Sequence, residues 1–312
     1  MDYLIPAAFA LDLLLGDPRR LPHPVVYIGA FIKWIERLLT EHVGNRRFAG
    51  VLLTALTLAA TGAVASAFLH VATEIDPLVG WLAALWLAFT TLAMRSLHKE
   101  SRAVVKLVEQ GRLDEARQSL ALIVGRDTAG LDEEAIVKAC IETVAENTSD
   151  GIIAPLFYLF LGGPVLAVIY KAANTLDSMV GYRNERYREL GWASPRFDDL
   201  LNLIPARLTG VLMALAALPL GLDPWGALKM MGRDARKPAS PNAGFPEAAA
   251  AGALEVQLGG PAFYFGKRVE KPTLGDPDRP VTTAAYRKMV RLMYLTSFLA
   301  LVLGVILSWL IR

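Results

Sequence analysis

Residues 142–156 read ETVAENTSDGIIAPL: an acidic, amide-rich helical segment stops at Asp150-Gly151 and runs straight into apolar sequence. On a helix Glu142, Glu146 and Asp150 recur at i, i+4 and i+8, so their carboxylates share one face, with Asn147 one position round from Glu146. Like charges stacked this way destabilise a helix unless a cation or a basic group lies between them. A solvated acidic face is the plainer reading of such spacing. Two features favour a site instead. The face abuts a membrane-like segment, and Asn147-Thr148-Ser149-Asp150 is echoed by Asn174-Thr175-Leu176-Asp177 at the next edge of apolar sequence. Two N-T-x-D units thus bracket one hydrophobic stretch, which suggests a site built from both of its ends.

Composition supports the membrane reading. The 312 residues are 54% hydrophobic with a mean hydropathy of +0.38, against roughly 45–50% in soluble domains. A net charge of +2 argues for neither nucleic acid nor a strongly anionic partner. The single cysteine, Cys140, rules out an internal disulfide or a cysteine metal cluster and reads as a small apolar helix residue. No removable signal peptide is evident at the N-terminus.

Working outward, the uncharged stretches delimit the membrane segments. Residues 51–69 and 78–94 form a hairpin whose tip carries Glu74 and Asp76, and whose flanks carry Arg46, Arg47, Arg95, Lys99, Arg102 and Lys106. By the positive-inside rule the tip faces outward and the flanks face the cytoplasm. Residues 152–170 are long enough to span but are interrupted by Pro155 and Gly162-Gly163-Pro164. Two readings stand: a broken span, or a re-entrant hairpin that returns Lys171, Asn174 and Asp177 to the side where Asp150 began. Residues 200–222 and 293–311 are further apolar runs, the first with Arg207 near its start, free to snorkel or to pair with Asp198 or Asp199. Residues 3–15 are too short to span and predict a partial or interfacial helix. Residues 25–40 predict an amphipathic surface helix with Lys33, Glu36 and Arg37 on its polar side.

The fold expected is therefore all-α: a polytopic membrane protein with four to five membrane segments, one of them in the two readings just given. We read it as a single membrane-embedded domain. Residues 1–50 supply an N-terminal loop and amphipathic helix, 51–94 a hairpin, 95–151 cytoplasmic helices, 152–222 the central segments, 223–291 a cytoplasmic loop layer and 292–312 the final span. Chemistry-bearing residues gather in the loops. Residues 16–24 (GDPRRLPHP) hold Asp17, two arginines and His23 on a proline-stiffened backbone. The Gly125-Arg126-Asp127-Thr128 loop precedes a good helix start at Asp132-Glu133-Glu134, a weak anion-seat signal. The 223–291 layer carries Arg236, Ser240-Pro241-Asn242, Glu247 and Lys267 among glycines and prolines, a composition suited to gripping phosphates or carboxylates. Nothing matches a P-loop or a Rossmann glycine pattern.

Several of these stretches are long and particular: DLLLGDPRRLPHPVVYIG (12–29), IVGRDT (123–128), residues 142–158, YKAANTLDSMVGYRNERY (170–187), IPARL (204–208), Ser240 to Asn242, and residues 252–260. In them the chain resembles the adenosylcobinamide-phosphate synthases of cobalamin biosynthesis, the CobD/CbiB family of integral membrane proteins. One departure is Glu255, where a small residue such as glycine is expected before VQLGG; we place it in a helix.

The resemblance implies a multi-pass protein of the cytoplasmic membrane. Its implied reaction is ATP-dependent amide ligation of adenosylcobyric acid with (R)-1-aminopropan-2-ol or its O-phosphate, with Mg²⁺ as cofactor. The implied partners are the corrinoid, the amino alcohol, the lipid bilayer and other cobalamin-assembly enzymes, and no nucleic acid. Within that chemistry Asp17, His23, Asp127 and Lys171 are expected to be catalytic. Arg126, Asn174, Arg207, Arg236, Asn242, Glu247 and Lys267 are expected to bind substrate or phosphate, and Glu146, Asn147, Asp150 and Asp177 to hold the metal. Two other functions compete with this one. A Mg²⁺-dependent prenyltransferase-type enzyme would want a further Asp one turn on, but Ala154 and Gly181 stand there. A non-enzymatic corrinoid carrier would carry ionisable groups inside its clear spans, and these have none.

Overall fold

The computed structural model describes residues 3–17, 22–182 and 185–310; Pro18, Arg19 and Arg20 of the proline-stiffened loop and Arg183 lie outside them. In chain order the helices are α1 Leu4–Leu15, α2 Pro24–His42, α3 Arg46–Ile75, α4 Pro77–Phe89, α5 Met94–Glu109, α6 Leu113–Leu120, α7 Glu133–Thr148, α8 Ala154–Val180, α9 Ala193–Ala217, α10 Pro224–Asp234, α11 Gly244–Leu254 and α12 Thr283–Leu310. Four short strands lie between α11 and α12: β1 Leu258–Gly259, β2 Ala262–Tyr264, β3 Lys267–Val269 and β4 Thr273–Leu274. They pair antiparallel as β1 with β4 and β2 with β3, one hairpin nested in another. The all-α reading holds, with this small addition.

Five helical stretches are long and apolar enough to cross a membrane: Arg46–Ile75, Pro77–Glu109, Glu133–Val180, Leu190–Ala217 and Thr283–Leu310. The chain is a multi-pass membrane protein. It packs as two compact units, Met1–Ala93 with Ala154–Asn202 and Gly304–Arg312, and Met94–Ile153 with Leu203–Leu303.

In the first unit helix starts are set by side-chain caps. His23 Nδ1 accepts from the Val25 amide at 3.3 Å, Asn45 from Phe48 at 3.0 Å and Asp76 from Leu78 at 2.7 Å, and Pro24 and Pro77 occupy first-turn positions that lack a donor anyway. Residues 70–75, read from sequence as part of a connection, are still helical; the turn is reduced to Asp76. The second arm of that hairpin ends at Phe89, where Thr90 and Thr91 bond back to the Leu87 and Ala88 carbonyls. The unit's core gathers Ile32, Leu53, Leu87, Ala172 and Leu176. Glu36, placed by sequence on the polar face of α2, is buried and bonded by Arg186 at 2.8 Å.

The stretch from Glu133 to Val180 is 48 residues, about 72 Å if straight, more than twice a hydrocarbon core. It is not straight. Gly162 and Gly163 leave helical geometry, Gly163 at φ 69°, ψ −165°, a conformation open only to glycine. Tyr158 and Tyr170 stack with ring centroids 5.0 Å apart, where a straight helix would hold them about 18 Å apart. The chain turns back at the glycines, so residues 154–180 form a helical hairpin and not one straight helix. Pro205 removes the helical donor to the Leu201 carbonyl, and the Tyr158 hydroxyl replaces it at 2.8 Å.

In the second unit α5 is tied to α12 by Ser101 to Tyr286 at 2.8 Å and His98 to Tyr294 at 2.9 Å. Asp132 caps α7 through the Ala135 amide. Cys140 is buried and free. Asp234, fully buried at the end of α10, accepts from Arg233, Lys237 and the Gly275 amide, and those donors hold its carboxyl well below the usual range.

Candidate active site

A cavity of about 380 Å³ in the second unit is walled by α7, the 123–126 loop, the entry to α11 and the strand hairpins. α7 contributes Glu142, Thr143, Glu146 and Asn147; the loop contributes Arg126; Ser240 and Glu247 come from the α11 side; Gly259, Gly260, Tyr264, Glu270 and Lys271 come from the hairpins. The acidic face of the opening stretch therefore lines a cavity.

Glu142 is not a spare carboxylate. One oxygen accepts from Arg126 and the other from the Gly259 amide at 2.7 Å, so a single side chain joins loop, helix and hairpin. Gly259 sits at φ 73°, and a Cβ there would lie 2.3 Å from the Pro272 carbonyl, which is why the hairpin root is glycine. Burial works against the charge on Arg126. The carboxylate of Glu142 outweighs it, with Tyr264 and Glu247 adding to the effect, and the guanidinium's pKa rises.

Glu146 and Glu247 face the same space. Burial first, then the charges of Glu146 and Glu142, push the Glu247 carboxyl well above its ordinary range, with Lys271 and Arg126 opposing. The lining holds four carboxylates, Glu142, Glu146, Glu247 and Glu270, and two cations, Arg126 and Lys271. With Glu142 spent on Arg126, the remaining wall is acidic. It suits an ammonium group, or a phosphate brought in with a divalent cation, better than a bare phosphate.

The other expected residues divide as follows. Asn147 lines the cavity and bonds the Thr143 carbonyl at 3.0 Å. Asp150 is absent from the lining; it lies in a π-helical turn, Ser149–Ile153, that follows α7. Asp127 is committed to structure. Its carboxylate oxygens accept from the Phe265 and Gly266 amides at 3.2 and 2.7 Å, and its own amide bonds the Phe263 carbonyl, so it anchors the β2–β3 turn and is not placed to take a proton. Lys267 is exposed on that turn and Arg236 is exposed beyond α10; neither lines the cavity, and Lys271 takes the position expected of them. Arg207 lies over the Phe245 ring at 4.2 Å and donates to the Leu203 carbonyl at 2.7 Å and to Asn242 at 3.3 Å, so both support the α11 entry. Ser240 Oγ accepts from the Asn242 and Ala243 amides.

Asp17, His23, Lys171, Asn174 and Asp177 belong to the first unit. Asp17 lies 3.4 Å from His23 Nε2. Since Nδ1 of that ring accepts the α2 cap bond, Nε2 carries the proton. Asn174 and Asp177 lie on the second half of α8. Among the described residues no three His, Cys, Asp or Glu side chains are placed to hold a metal on their own. Sequence reading missed Lys271 and Lys138, whose ammonium lies about 4 Å from where a Gly260 side chain would begin. Neither stands in a motif.

A sequence model described as CobD/Cbib protein matches residues 5–293. The chain belongs to the CobD/CbiB family. It is 54% identical over 301 residues to the cobalamin biosynthesis protein CobD of Geobacter metallireducens, covering 96% of this chain and 95% of that protein. It is 51% identical over 305 residues to the CobD protein of Pelobacter propionicus (98% and 94%), and 46% identical over 299 residues to the cobalamin biosynthesis protein CbiB of Salmonella choleraesuis (95% and 94%). No solved structure matches the chain. Membership of the CobD/CbiB family extends over both units, so the cavity lies within the shared region. Glu255, the departure noted in the sequence, is not within a helix: it ends α11 at φ 59°, ψ 37°, a left-handed position that favours glycine.

Proposed function

We propose that this chain acts in cobalamin biosynthesis at the cytoplasmic membrane as an ATP-dependent amide ligase, joining a side-chain carboxylate of adenosylcobyric acid to (R)-1-aminopropan-2-ol or its O-phosphate. Family membership and the relatives' names support the pathway. The observation that supports the chemistry is the pairing of Glu146 and Glu247 in a cavity that also holds Arg126 and Lys271.

A carboxylate and an ammonium do not condense near neutral pH, because one is a poor electrophile and the other lacks a free lone pair. Transfer of the γ-phosphoryl group of ATP to the carboxylate gives an acyl phosphate and ADP. The amine then attacks the acyl carbon, the C–N bond forms, the C–O bond to phosphate breaks, and inorganic phosphate leaves. The amine's protons must go to a base. Glu247, its pKa raised by burial and by its neighbours, is a stronger base than an exposed carboxylate, and Glu146 holds the ammonium beside it. Arg126 and Lys271 offset charge on phosphate oxygens. Glu146 and Glu247 would also be the carboxylates to hold Mg²⁺ arriving with the nucleotide, an ion that commonly takes one or two protein carboxylates and supplies charge neutralisation during phosphoryl transfer. A cavity of about 380 Å³ admits the reacting ends and not the macrocycle.

The test is purified full-length protein in detergent with adenosylcobyric acid, aminopropanol phosphate, ATP and Mg²⁺, followed by product mass and ADP release. Amide product in step with ADP is expected, reduced at least tenfold in Glu146→Gln. Full turnover in Glu146→Gln, or corrinoid binding without product for any amino alcohol, would overturn the reading, the second in favour of a carrier.

A further inference from the structure

We propose that the first unit carries a binding site for the phosphate headgroup of an anionic phospholipid at the start of α3, formed by the guanidinium groups of Arg47 and Arg196 around the indole of Trp192. It does not depend on the ligation reading, because no residue of the ligation cavity takes part.

The short helical turn Leu190–Trp192 leads into α9 and packs directly on α3. A side chain at Gly50 would collide with the Leu190 carbonyl, and Thr54 bonds Ser194 at 3.0 Å, so turn and helix are held in register. This places Trp192 against two cations. The guanidinium carbon of Arg47 lies 3.9 Å from the indole centroid and that of Arg196 4.4 Å. The two charges are thus no more than about 8 Å apart, within a screening length at physiological salt. Attraction to the ring holds each cation but neutralises neither. Arg196 donates to the Trp192 carbonyl at 2.7 Å, which spends one donor of its fork. Among the described residues neither guanidinium is in an ion pair, whereas Arg37 and Arg186 have Glu41 and Glu36. Two exposed guanidiniums drawn together without a carboxylate form a seat for an anion, and their planar donor forks match phosphate oxygens. The surroundings select a lipid over a soluble phosphate. α3 is long and apolar enough to cross a membrane. Arg47, Val51 and Ala55 recur at i, i+4 and i+8 on it, and all are exposed. The guanidinium therefore heads an apolar stripe that acyl chains can follow, with Phe48 exposed beside it. An indole next to it suits the membrane–water interface. The basic end of α3 is the one that charge assigns to the cytoplasm, the side on which anionic lipids attract arginines.

The test uses full-length protein in a neutral detergent with phosphatidylglycerol, with phosphatidylcholine of the same acyl chains, or with glycerol 3-phosphate. Native mass spectrometry should show phosphatidylglycerol retained about tenfold better than phosphatidylcholine. Phosphatidylglycerol should also raise the unfolding temperature, and the other two compounds should not. Arg47→Gln/Arg196→Gln should lose both the preference and the stabilisation. Arg37→Gln removes an exposed arginine elsewhere and should behave as the parent. Should the double variant fail to fold, Arg47→Gln alone should retain phosphatidylglycerol only about threefold better. A preference undiminished by the loss of Arg47 overturns the proposal, and so does an equal loss in Arg37→Gln, which would make the effect one of overall charge. Stabilisation by glycerol 3-phosphate equal to that by the lipid also overturns it, in favour of a soluble anion. None of these readings requires ligase activity, so failure of the proposed function leaves the test intact.

Discussion

Glu142 does more than its position suggests. Of the three aligned acids it lies furthest from the apolar segment in sequence, yet it joins Arg126 to the root of the strand hairpin. Glu142→Gln leaves a largely buried guanidinium without its counter-charge, and thermal unfolding should report a loss of about 3 kcal/mol, the usual result of breaking a buried pair from one side; an unchanged melting temperature would return Glu142 to the solvated face. Glu247 gives a pH signature. Its folded pKa is raised, so the native state holds the proton to higher pH than the unfolded chain does. Stability in EDTA should fall as pH climbs from the ordinary carboxylate range towards the raised value, and Glu247→Gln should remove that part of the slope. Glu255 tests the backbone alone. Glu255→Ala keeps the left-handed strain and loses the surface contact with Arg279, whereas Glu255→Gly loses the same contact but relieves the strain, so Gly should be more stable than Ala by about 1 kcal/mol. At this scale the acidic face was legible because helical spacing alone aligns it, and Arg126 because it stands beside a helix start. The Arg126–Glu142 bond and the arrival of Lys271 were not, since residues so far apart in sequence meet only through the tertiary fold.

Helices were the most legible elements. Apolar periodicity located α2, a helix-start signal together with periodicity located α7, and long uncharged runs located α3 and the last span, because burial leaves local marks in the sequence. Strands of two or three residues leave no periodicity to read, and β1 to β4 were seen only as glycine-rich loop. The π turn at Ser149–Ile153, which contains Asp150, was equally hidden. The central hairpin left two readings open because Gly-Gly-Pro breaks a helix without fixing the direction that follows. Its observed geometry can be checked by cross-linking. In a Cys140→Ala background, Tyr158→Cys/Tyr170→Cys should be joined within one chain by a thiol cross-linker shorter than the roughly 18 Å that a straight helix would set between them, since their rings stack at 5.0 Å. A pair that such a reagent leaves unjoined would mean a straight helix.

For the whole molecule, composition was enough to establish a multi-pass membrane protein, and charge distribution sets the expected orientation. Single cysteines placed at Glu74 in the Cys140→Ala background should be labelled from outside intact cells by an impermeant thiol reagent, and cysteines at Arg126 or Asn242 should not. Labelling of the latter pair would put the cavity on the side away from cytoplasmic ATP. The gathering of the 142–147 face, the 126 loop and the 240–271 layer around one cavity was beyond sequence, because it depends on how segments far apart in the chain pack. What happens there can be followed atom by atom. With adenosylcobyric acid labelled by ¹⁸O in the reacting carboxylate, ATP-coupled ligation through an acyl phosphate predicts one ¹⁸O atom in the inorganic phosphate released per amide formed. Amide product accompanied by phosphate free of ¹⁸O would contradict it.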